Sequence, residues 1–93
     1  MYKFRLFIAG FNSQTSQKAI KDVKLFLDTY LSETYSFSII DIIDDPECAR
    51  RKRIFATPVL VKDRPKPERR VFGNLAGPEK VLKSLGLDLT NRI

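Results

Sequence analysis

Asp41, Asp44 and Asp45 are the densest acidic cluster of the chain, and clustered carboxylates are the groups from which acid–base chemistry could be built. They follow an apolar run and precede Pro46, so strand-end and helix-cap roles are the expectation. The chain has no histidine and one cysteine, Cys48. That removes imidazole catalysis, the common histidine and cysteine metal sites and an intramolecular disulfide. No catalytic residue, metal or cofactor is expected, and neither a phosphate loop nor a dinucleotide fingerprint is present in the sequence.

The other dense run is basic, RRKR at 50–53. Net charge is +6, and it is unevenly spread: residues 1–46 hold 5 Lys/Arg against 6 Asp/Glu, and residues 47–93 hold 12 against 5. Such an excess points to an acidic partner or to nucleic acid. RNA-binding sheets add exposed aromatic rings to their basic groups, and Phe7, Phe55 and Phe72 are the available rings. The expectation is that these phenylalanines belong to the core and that RRKR is a solvated face, which leaves nucleic acid as the lesser reading.

The elements that position these residues follow from periodicity. YKFRLFIA (2–9) alternates as a strand with one buried face, and FNSQTSQ (11–17) supplies N-cap candidates. Apolar residues from Ala19 to Leu31 then recur at helical spacing. FSIIDIID (37–44) reads as a strand covered on both faces. Pro46 suits the first turn of a short helix over 47–55, capped by Asp44 or Asp45.

IFATPVLV (54–61) reads as a strand interrupted by Pro58. Proline cannot donate to a ladder, so the expectation is an edge-type strand, with Thr57-Pro58 a cis-peptide candidate in a loop that faces a site. RRVFG, after the charged connection DRPKPERR (63–70), can pair antiparallel with TPVLVK. AGPEKVLKSLG closes with Pro78 in a first helical turn and Gly86 as the stop. A single domain over 1–93 with the order β-α-β-α-β-β-α is expected, with no membrane span and no secretory leader, hence a cytoplasmic location.

That order, with Thr-Pro before the third strand, resembles the α/β thioredoxin-like fold. Thioredoxin chemistry needs a C-x-x-C pair at the first helix. Here the loop reads GFNSQTSQ, so a redox enzyme is not expected and Cys48 reads as a small, half-buried hydrophobe. A cysteine-free branch matches more closely. LFIAG (6–10), IIDIIDDPECA (39–49), IFATPVL (54–60) and ERRVFGNLAGPEKVL (68–82) together resemble the KaiB family, over residues 4 to about 87.

The resemblance implies a non-enzymatic adaptor that binds the N-terminal ATPase ring of a KaiC-like protein and regulates its phosphorylation or signalling output. It also implies two folds, a self-associating ground state, dimer or tetramer, and a thioredoxin-like binding state. The two share the N-terminal β-α-β unit and differ in the C-terminal half. Carried over by position, Lys18, Arg53, Arg69 and Arg70 are the candidate partner-binding residues, Thr57 and Pro58 the structural cis-proline pair. Ser84 and Gly86 are the fold-switch candidates, because the family commonly reads I-G-L-D after KVL where this chain reads K-S-L-G-L-D. Serine for glycine favours helix by roughly 0.5 kcal/mol. An adaptor of a histidine-kinase system or of a stress response, with another protein partner, is the alternative.

Overall fold

The computed structural model describes residues 1–31 and 35–87. Its elements are β1 (Tyr2–Ile8), α1 (Gln14–Tyr30), β2 (Tyr35–Asp41), α2 (Pro46–Arg51), β3 (Val59–Arg64), β4 (Arg69–Phe72) and α3 (Pro78–Ser84). The sheet order is β2-β1-β3-β4, with β2 parallel to β1 and the other pairs antiparallel. The chain ending TNRI lies outside the described residues.

Residue parity on β1 divides the core. Phe4, Leu6 and Ile8 face α1 and α3, and pack with Leu27, Leu60, Val71, Val81 and Leu85. Phe7 points the other way, into a smaller cluster with Cys48, Ala49, Ile54, Val59 and Val61 beneath α2. β1 is therefore the strand covered on both faces over Leu6–Ile8, where one buried face was expected. β2 corrects the opposite expectation. It lies at the sheet edge, with Ser36 and Ser38 exposed and its apolar residues only half-buried. Ile39, Ile40 and Ile42, with Asp41 among them, occupy half-covered edge positions rather than a doubly covered strand.

The helix ends obey local chemistry. Ser13 caps α1 by accepting from the Ser16 N–H, and Asp45 caps α2 by accepting from the Cys48 N–H at 3.0 Å, with Pro46 in the first turn. α2 stops at Arg51, short of the expected 55, because Arg53 takes a left-handed conformation (φ 55°) and sends Ile54 into the core. α3 ends at Ser84, and Gly86 (φ 67°) donates its N–H to Lys83 O at 3.1 Å.

The Thr57-Pro58 bond is cis, as expected, but β3 is an interior strand rather than an edge. Pro58 is tolerated because the ladder begins one residue later, at Val59, paired with Phe7 and Phe72. Leu60, fully buried at the centre of the larger cluster, is the most direct check on this packing. Leu60→Ala is expected to cost about 2–5 kcal/mol in urea unfolding.

Candidate functional site

The loops β1–α1, β2–α2, α2–β3 and β4–α3 meet at one end of the sheet, and Asp41 organises the first two. Its carboxylate accepts from the N–H groups of Gly10 (2.9 Å), Phe11 (2.8 Å) and Ile43 (3.0 Å). Gly10 (φ 85°) supplies the turn that brings its own N–H and the next onto that carboxylate. These bonds, led by that of Gly10, hold the Asp41 carboxyl below its ordinary value. Asp41 and Asp45 thus fill the strand-end and cap roles expected of the acidic cluster.

Behind this loop Ser13 Oγ donates to Ser16 Oγ at 2.8 Å, and Ser16 Oγ donates to Ala9 O. The two hydroxyls line a small cleft with Thr57 and Pro58. Two serines stand here, and Cys48 lies buried under the opposite face of the sheet. The neighbouring cleft of Lys18, Pro58, Gly73 and Asn74 measures about 290 Å³, at the lower limit of small-molecule pockets.

Of the expected binding residues, Lys18 is exposed on α1, paired with Asp22 at 2.7 Å, beside that cleft. Arg53 and Arg70 are brought together. Arg70 donates to Lys52 O (2.6 Å), to Arg53 O (3.4 Å) and to Glu68 Oε2 (3.1 Å), so its half-buried guanidinium ties the α2–β3 turn to β4. Arg53 is exposed. Arg69 points to the opposite face, against Gly86, whose added Cβ would lie 3.6 Å from Arg69 Nε. Ser84 and Gly86 stand at the end of α3.

A lattice of charge surrounds Arg70. Arg5 grips Asp63 through two bonds of 2.6 and 2.7 Å, and Lys52 reaches Glu68 at 3.1 Å and Asp63 at 3.9 Å. Desolvation opposes the ionised carboxylates, but the bonds and charges of Arg5, Lys52 and Arg70 leave Asp63 and Glu68 below their ordinary values. Lys62 is buried and donates to Pro65 O (2.7 Å) and Pro67 O (3.2 Å), which shapes the β3–β4 connection. Burial, and then the charge of Arg69, pulls its ammonium group below the usual lysine range.

Two of the three phenylalanines assigned to the core are outside it. Phe7 is fully buried, whereas Phe55 is 89% exposed and Phe72 50%. On β4 alternation carries the reason, since Val71 takes the inward position and Phe72 turns outward, whereas Phe55 lies in the α2–β3 loop, where Ile54 alone reaches the core and Phe55 and Ala56 are exposed. Phe11 and Ile43 are likewise exposed beside Asp41.

The fold and this thiol-free end define a thioredoxin-like domain with serines, not a cysteine pair, at the start of α1. The N-terminal domain of Synechococcus elongatus SasA superposes with a TM-score of 0.73 at 22% identity, over 90% of this chain and 78% of that one. Mitochondrial thioredoxin 3 of Saccharomyces cerevisiae gives 0.69 at 16%, over 91% of this chain and 76% of that one. The KaiB domain profile matches residues 5–87, and the chain belongs to the KaiB family. It is 40% identical over 88 residues to the circadian clock oscillator protein KaiB of a Picosynechococcus species, covering 95% of this chain and 82% of the relative. The KaiB of Gloeothece citriformis is 39% identical, covering 95% and 80%.

Asp41, Asp63 and Glu68 all have lowered folded-state values, so each favours the folded state when ionised. Their contribution is complete above the ordinary values of 3.8 and 4.5 and is lost as pH falls through the lower folded ones. Urea unfolding across the acid range should show stability falling below about pH 4.5. The Asp41→Asn variant should start less stable and lose less over the same interval.

Proposed function

We propose that this chain is a non-enzymatic adaptor that docks on the N-terminal ATPase ring of a KaiC-like protein and regulates its phosphorylation or signalling output. Membership of the KaiB family over residues 5–87 carries the reading. The surface chemistry supports it. Lys18, Arg53 and Arg69 are exposed cations able to meet acidic groups of a ring, with Pro58 lining the cleft beside Lys18 and Arg69 on the opposite face from Arg70. Arg70 supports the surface from below rather than presenting its own charge.

In this proposal the protein acts in the cytoplasm and rests as a homodimer or homotetramer in a second fold. The thioredoxin-like form described above is then the binding-competent state. Ser84 and Gly86, at the end of α3, are the positions that would tune the balance between the two. Capture of a minor state lowers apparent affinity by the competent fraction and makes association slow.

Gel filtration with a KaiC-like ATPase from the same source and a non-hydrolysed ATP analogue tests this. Co-elution should develop over hours, and Arg53→Ala with Arg69→Ala should weaken it about tenfold without changing the circular dichroism. Wild-type protein that never co-elutes would end the ATPase assignment; co-elution indifferent to both arginines would remove them from the interface.

A further inference from the structure

We infer that the edge formed by β4 and the α2–β3 loop is a single-stranded nucleic-acid site, with Phe55 and Phe72 as base-stacking platforms and Arg51 and Arg53 as phosphate contacts. This goes beyond the adaptor role and does not depend on it.

Two hydrogen-bonded ties hold the rings on neighbouring strips of backbone. Arg70 fastens Lys52 and Arg53 at one end, and the Gly73 N–H donates to Pro58 O at 3.2 Å at the other. Loop 53–58 therefore runs beside 70–73, with Ile54 and Val71 anchored in the two cores and Phe55 and Phe72 turned out. A phenylalanine has no polar handle, so 89% exposure on an anchored loop leaves its apolar area in water until a partner covers it. Base–aromatic stacking tolerates any base and asks only for accessible rings beside cations.

The charges nearby are sorted to suit a polyanion. Glu47 is matched by Arg50, Glu68 by Lys52 and Arg70, and Asp63 by Arg5. Arg51 and Arg53 are exposed with no carboxylate partner among the described residues. An acidic protein surface would use the cations equally well, but two presented rings with uncommitted arginines match the paired demands of a base-bearing strand.

Fluorescence anisotropy with labelled oligouridine of about twelve nucleotides tests the site, with an abasic strand of equal charge as the control. Phe55→Ala and Phe72→Ala should each weaken binding about tenfold, and the abasic strand, which loses both stacks, should bind about a hundredfold less tightly than oligouridine. Phe72→Leu keeps apolar bulk at the half-covered position and should also weaken binding, which separates lost stacking from lost folding. Arg51→Gln with Arg53→Gln should flatten the slope of log affinity against log salt by about 1.4. Equal binding of the abasic strand, ring variants that bind like wild type, or no binding at about 50 mM salt would overturn the inference. An oligoglutamate peptide that loses affinity on the same ring substitutions would assign the edge to an acidic protein and equally overturn it.

Discussion

A helix of six residues cannot cover one face of a four-stranded sheet, and the second layer of this protein follows from that shortfall. α2 shields Phe7, Val59 and Val61 and then ends, leaving the rest of that face to side chains of the sheet itself. Charged residues with long apolar stems meet the need. Arg5 lies over the Phe7 ring, 5.4 Å from its centroid, while gripping Asp63, and Lys52 and Arg70 converge on Glu68. Isolated surface pairs contribute only about 0–1 kcal/mol, but these groups share partners and are partly withdrawn from water, where screening is weaker.

The same shortfall creates the exposed edge. Two residues after α2 ends, Arg53 turns the chain in the left-handed region. The turn sends Ile54 inward and Phe55 outward, and Arg70 holds the turn to β4 through the carbonyls of Lys52 and Arg53. Arg70 is thus half-buried against the turn it holds, and Arg53 is exposed on that turn.

Element order, both proline-led helices, an aspartate cap at 44 or 45 (Asp45 in the structure), the Gly86 stop and the β3–β4 pairing were legible because each is dictated by neighbours in the sequence. Strand position in the sheet was not. The alternation of residues 2–9 suggests one buried face and the denser apolar pattern of 37–44 two, but the crossover that places β1 between β2 and β3 decides which strand is enclosed. The outward turn of Phe72 was recoverable from alternation with Val71, but Phe55 lies in a loop where no local period acts, and phenylalanine's usual preference for the interior governed both expectations. The Asp41 clamp needs residues 10 and 41 to be adjacent in space, which no local pattern encodes.

Folding also converts a charge asymmetry along the chain into one across the surface. In the second half Glu47, Asp63 and Glu68 are each taken up by a cation, so the remaining arginines near α2 and β4 act as uncompensated positive charge. Such a field speeds encounter with any polyanionic partner and is weakened by salt for all of them alike, so charge alone does not identify the partner. Ring chemistry distinguishes the two, because a nucleic acid would use the faces of Phe55 and Phe72 whereas an acidic protein would need only the cations. Arg53 belongs to both proposed contacts, so an ATPase ring and a nucleic-acid strand would compete for it, and by linkage each would lower the affinity of the other by the same factor. A chain of 93 residues with one strongly basic edge would then hold one of the two partners at a time, through competition at Arg53.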